Sequence, residues 1–222
     1  MEGAHSPPRR VQVGAHALEG DLTLPPQARG LVVFAHGSGS TRRSPRNVQV
    51  GQSLHARGFG TLLFDLLTPE EASDRHNVFD IALLGSRVVE TIDWLDQRAA
   101  LARLPVGLFG ASTGAAAALV AAAERPERIF AVVSRGGRPD LASEVLPRVA
   151  APTLLIVGGD DTQVLELNRL ALRQLPQGAE LAVVPGATHL FEEPGALEKV
   201  THLACGWFAA HLPLAAKRSP RG

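Results

Sequence analysis

The amino-acid sequence predicts an α/β fold, a mostly parallel sheet with helices on both faces. Short apolar runs such as Gly30-Leu-Val-Val-Phe-Ala-His36 and Pro152-Thr-Leu-Leu-Ile-Val-Gly158 have the length and composition of strands buried on both sides. Segments of helical period lie between them, so strands and helices alternate as in successive βαβ crossovers. One junction is sharper than the rest. Leu104-Pro-Val-Gly-Leu-Phe-Gly-Ala-Ser-Thr-Gly114 runs straight into the Ala-rich stretch 115–123, giving strand, tight turn and helix.

In chain order, Val11 to Leu24 alternates and carries Gly14 and Gly20, which predicts one or two strands in a hairpin stopped by Pro25-Pro26. The run ending at His36 is the next strand and opens into Gly37-Ser-Gly-Ser-Thr41. A helix follows from about Asn47 to Arg57, ended by Gly58, then the strand Gly60 to Asp65. The polar segment Thr68 to Asn77 leads into a long amphipathic helix with Ile81, Leu84, Val88, Ile92 and Leu95 on one stripe. After the elbow strand and its helix, Arg128 to Ser134 is a strand and Pro139 to about Val145 a short helix. The strand from Pro152 precedes a helix over Val164 to about Leu175. Glu180 to Pro185 is the last strand, and Pro194 to about His211 the last helix.

With 222 residues, 45% hydrophobic and 20% charged, the chain suits one globular domain. Residues 1–10 are expected to be a flexible N-terminus, 11–212 the folded domain and 213–222 a flexible tail. Lys+Arg and Asp+Glu both number 22, so bulk charge favours neither a nucleic-acid nor a membrane partner. The N-terminus lacks the apolar stretch of a signal peptide, which makes the cytoplasm the expected compartment. Cys205 is the only cysteine, in an apolar helical pattern, and reads as a buried structural thiol.

Reactive residues stand just beyond predicted strands, where functional groups of such sheets collect. Gly110-Ala-Ser-Thr-Gly114 fits Gly-x-Ser-x-Gly, in which the serine occupies a strained turn between strand and helix. The same residues would also suit a glycine-punctuated turn whose serine merely caps the helix. A neutral hydroxyl is a poor nucleophile, and acyl transfer needs an imidazole to take its proton and a carboxylate to orient that imidazole. Ser112, the pair Asp160-Asp161 and His189 supply these types in the order Ser, Asp, His.

Together, His36-Gly-Ser-Gly39, Gly110-Ala-Ser-Thr-Gly114, Gly158-Gly-Asp-Asp161 and Gly186-Ala-Thr-His189 resemble the α/β-hydrolase superfamily, specifically its dienelactone-hydrolase-like group, over nearly the whole chain. The resemblance implies an α/β-hydrolase fold without a large cap domain. It also implies a serine hydrolase of carboxylesterase type, acting on small esters or lactones with no cofactor or metal. Dienelactone hydrolases proper carry a cysteine nucleophile where this chain has Ser112, which favours a generic esterase. By the same resemblance the acid is Asp161, within Gly-x-x-Asp, while Asp160 caps the following helix; Asp140 is a weaker candidate. The base is His189. The oxyanion donors are the backbone amides of Ser38 and Thr113, whose side chains are expected to matter little. His36 supports the glycine-rich loop.

Arg42, Arg135 and Arg138 are candidate substrate-binding residues, able to clamp a carboxylate or phosphate. They are equally suited to salt bridges with acids such as Asp65, Glu70 or Glu71. Two rival functions use the same scaffold: a non-catalytic ligand-binding or interaction module, and an acyltransferase or perhydrolase built on the same triad.

Overall fold

The computed structural model describes residues 7–213. It contains an eight-stranded sheet: β1 (Arg9–Val13), β2 (Leu18–Thr23), β3 (Gly30–Ala35), β4 (Phe59–Phe64), β5 (Val106–Ala111), β6 (Ile129–Arg135), β7 (Thr153–Gly158) and β8 (Glu180–Val184). Six helices accompany it: α1 (Pro45–His55), α2 (Pro69–Ser73), α3 (Ile81–Asp96), α4 (Thr113–Glu124), α5 (Thr162–Leu172) and α6 (Ala196–His211). The spatial order is β1-β2-β4-β3-β5-β6-β7-β8, with β2 antiparallel to both neighbours and every other pair parallel.

Strands β3, β4, β5 and β7 are buried at every residue, which is why they appear in the sequence as unbroken apolar runs rather than alternating ones. One core lies between the sheet and α3, α4 and part of α5, and the other beneath α1 and α6. Helix α4 has no polar face because ten of its residues are buried, and its alanines let the backbone lie close against the strands. On the opposite side Phe34 and Phe109, from adjacent strands, bring their ring centroids within 4.8 Å. Cys205 is 1% exposed in that second core, where burial pushes its thiol up.

Several boundaries differ from expectation. Strand β1 begins at Arg9, inside the segment expected to be flexible, because backbone pairing of Arg9 with Leu22 and of Arg10 with Asp21 tolerates exposed arginine side chains. Residues 1–6 and 214–222, the remainder of the expected flexible ends, lie outside the described residues. The polar segment 68–77 contains α2, opened by a reciprocal capping box between Thr68 and Glu71. Arg87, on α3, ties α2 in place through Glu71 at 2.5 Å. The short helix expected from Pro139 is instead a 3-10 turn over Pro139–Ala142, followed by another over Leu146–Arg148. No cap domain is inserted between β6 and β7.

Strand β3 has β4 on one side and β5 on the other, so the winding direction of the sheet reverses there. The loops leaving β3 and β5 diverge at that point and open a crevice at their carboxyl ends.

Candidate active site

Ser112 sits between β5 and α4 with φ 51° and ψ −122°, a conformation that L residues adopt at a cost. Its neighbours hold it there. Its N–H donates to the Arg135 carbonyl at 3.2 Å, and its own carbonyl accepts from the N–H of Arg138 at 3.1 Å and of Ala115 at 3.1 Å. Gly114 is required by close approach, since a Cβ would run into the backbone carbonyl oxygens of Ala35 and His36. The hydroxyl makes no cap bond to the helix, which removes the capping explanation of Gly-x-Ser-x-Gly.

His189 lies on the loop after β8, and its Nδ1–H donates to Asp161 Oδ2 at 2.7 Å. That bond leaves Nε2 as the acceptor nitrogen. Asp161 occupies the N-cap position of α5 yet makes no capping bond, because its carboxylate is turned to the imidazole instead. Asp160 is exposed and is not the cap that the sequence suggests. Asp140 is committed to Arg138 through two bonds of 2.9 and 2.7 Å. Gly136, at φ 51°, lies against the His189 ring; an added Cβ would stand 3.5 Å from Nδ1 and Cε1.

Ser112 and His189 line one cleft of about 590 Å³, together with residues 37–41 and 43–46 after β3, Ala111, Arg135 and Leu190. The structure joins His189 to Asp161 and brings Ser112 into the same cleft, with no hydrogen bond between Ser112 Oγ and the ring. Such contacts are often long before substrate binds.

The expected oxyanion donors are adjacent, with a detail that the sequence did not reveal. The Ser38 N–H donates to Thr113 Oγ1 at 3.1 Å, so the Thr113 side chain, expected to matter little, occupies one of the two amides. The Thr113 N–H opens α4 and has no intrahelical acceptor. His36 braces the loop as the resemblance implied. Its Nε2 accepts the Leu66 N–H at 3.1 Å and its Nδ1–H donates to the Gly37 carbonyl at 3.0 Å, so the neutral ring is used at both nitrogens.

Burial lowers the His36 pKa from the ordinary imidazole value, against the raising effects of the Gly37 carbonyl and Asp65. An unfolded chain protonates His36 near pH ~6.5 while the folded chain still resists, so the unfolded state binds more protons in that window. Stability is therefore lost as the pH falls from about 6.5 towards the folded pKa. Thermal melts across that range should fall more steeply for the wild type than for His36→Gln; equal slopes would remove this assignment.

The three candidate arginines part company. Arg42 is a structural residue: it pairs with Asp65, with Glu19 at 2.9 Å and with Asp21 at 3.3 Å, fastening the loop after β3 to β2 and β4. That corrects its reading as a substrate clamp. Arg138 is held by Asp140 and is corrected likewise. Arg135 alone of the three lines the cleft with Ser112 and His189. Arg43 and Arg46, which follow β3, also line it.

The sheet order, the strained serine between β5 and α4 and the acid–imidazole pair beyond β7 and β8 define an α/β-hydrolase. A model of the dienelactone hydrolase family matches residues 18–209, and the chain belongs to that family. It is similar to the dienelactone hydrolase of Anabaena variabilis, with 54% identity and a TM-score of 0.89 over 94% of this chain and 100% of that one. Est1E of Butyrivibrio proteoclasticus shares the fold at 16% identity, with a TM-score of 0.78 over 93% and 99% of the two chains. A Mycobacterium tuberculosis protein provisionally named a phosphoribosyl transferase is 59% identical over 217 residues, 96% of this chain. The chain spans about half the length of that curated relative, 49%. Among the described residues no helix is long and apolar enough to cross a membrane.

Proposed function

We propose that the protein is a serine hydrolase cleaving small carboxylic esters or lactones, with Ser112 as nucleophile, His189 as general base and then general acid, and Asp161 orienting the imidazole. The observation that carries this reading is the 2.7 Å bond from His189 Nδ1 to an Asp161 carboxylate diverted from its helix-capping position, beside the cleft that holds Ser112.

Ser112 Oγ attacks the acyl carbon while His189 Nε2 takes its proton, and the carbonyl oxygen becomes an oxyanion at the start of α4. There the Thr113 N–H and the positive end of the helix face the developing charge. The Ser38 amide joins them once Thr113 Oγ1 yields it. Collapse expels the alcohol, which receives the proton from His189, and leaves an acyl group on Ser112. Water, deprotonated by His189, attacks that acyl carbon; the acid leaves and the proton returns to Ser112.

A strained serine in an open cleft should react with a fluorophosphonate to near one equivalent per chain, at Ser112. A non-catalytic module on the same scaffold would remain unlabelled.

A further inference from the structure

The cleft holding Ser112 and His189 is lined by three arginines, Arg43, Arg46 and Arg135, and by no aspartate or glutamate. That bias is local, because the chain as a whole carries 22 charges of each sign. Arg135, the last residue of β6, is 9% exposed, and its Nε and Nη1 are sealed from solvent without a hydrogen-bond partner. The arginines that do structural work here behave differently: Arg42, Arg87, Arg125 and Arg138 each hold a carboxylate. The charge that bears on Arg135 is another cation, Arg46, whose Nη1 donates to Glu192 at 3.0 Å. Burial and that like charge bring Arg135 down to about 10, which leaves it cationic at neutral pH.

A guanidinium buried without a counter-ion lowers folding stability; Nη2, the one nitrogen of Arg135 not sealed off, is the donor open to an oxyanion in the cleft. Helix α1 opens on the same wall. Ser44, its N-cap, makes no side-chain cap bond, and the first turn contains no acid. Pro45, the first helical residue, has no N–H, so the amides of Arg46 and Asn47 and the positive end of the helix are what is left for an anion. Glu192 and Glu193, which do not line the cleft, are engaged by Arg46 and Thr188.

We propose that Arg135, with Arg46, the exposed Arg43 at the rim and the start of α1, forms an anion subsite beside Ser112, and that the ester cleaved there carries a phosphate group away from the scissile bond. The proposal rests on the serine-hydrolase reading. A phosphate is favoured over a carboxylate because, of the three cleft arginines, Arg46 alone has an ion pair among the described residues, which leaves Arg43 and Arg135. One dianion balances both; a monoanion leaves one uncompensated. The phosphate is held and not transferred, so only the ester bond breaks.

The test compares p-nitrophenyl esters of butyrate, succinate and phosphonopropionate, alike in acyl length and different in terminal charge, on the wild type and Arg135→Met. The wild type should favour phosphonopropionate, then succinate, then butyrate. In Arg135→Met the advantage of the phosphonate over the neutral ester should shrink roughly 10- to 100-fold. The variant should melt no lower than the wild type, since it loses a buried unpaired charge. Equal rates on all three esters, a preference that survives the substitution, or a lowered melting temperature would overturn the subsite. Succinate outranking phosphonopropionate would overturn the phosphate assignment. Should no ester be turned over, the hydrolase reading fails separately, and titration calorimetry with phosphonopropionate judges the subsite. Binding weakened tenfold or more in Arg135→Met supports it, and equal or undetectable binding contradicts it.

Discussion

Ser112→Ala is expected to lower kcat/KM for a short p-nitrophenyl ester by roughly four to six orders of magnitude, the loss typical when the nucleophile of a serine triad is removed. Rate remaining above the uncatalysed reaction would come from the oxyanion donors and from binding. Stability should change little, within about 0.5 kcal/mol. The hydroxyl makes no hydrogen bond, and alanine inherits the same backbone geometry, φ 51°, held by the same neighbours through the carbonyl of Arg135 and the amide of Arg138. A melt therefore separates loss of chemistry from loss of fold. Turnover within a few-fold of wild type would remove Ser112 from the mechanism.

Asp161→Asn should cost about three to four orders of magnitude in kcat, whereas Asp160→Asn should stay within roughly threefold of wild type. The two residues are adjacent and chemically identical, so the contrast depends wholly on direction. Asp161 Oδ2 accepts from His189 Nδ1, while Asp160 is exposed and has no role at the imidazole. An amide at 161 keeps the shape but presents either a neutral acceptor or an N–H. The second choice favours the tautomer protonated at Nε2, which cannot take a proton from Ser112. It also removes the charge that stabilises the imidazolium. A large loss at 160 and a small one at 161 would reverse the assignment of the acid.

The central strands are legible because burial on both faces makes each a solid apolar block: β3, β4, β5 and β7 are buried at every residue. The start of β1 is hidden in the sequence because its arginines point to solvent at the sheet edge, where backbone pairing leaves no apolar signature. Helix α2 is hidden for a related reason. Its capping box is present in the sequence, but its residues are half-buried at most and have no apolar stripe. At the site, chain order and motif spacing single out Ser112, His189 and the Asp160-Asp161 pair as candidates. Which aspartate faces the ring is a matter of side-chain direction, which spacing does not encode. The hydroxyl of Thr113 on the Ser38 amide has no sequence signal at all. The arginines show the same limit. Arg42 follows β3 and Arg135 ends β6, yet one meets three carboxylates and the other none.

The convergence of Ser112 with the His189–Asp161 pair is tested most directly by mapping the fluorophosphonate adduct with peptide mass spectrometry, in the wild type and in His189→Ala. The wild type should carry the adduct on the peptide containing Ser112, formed within minutes, and His189→Ala should label far more slowly at the same serine. An adduct on another residue, or labelling of Ser112 at an undiminished rate without the imidazole, would contradict the account.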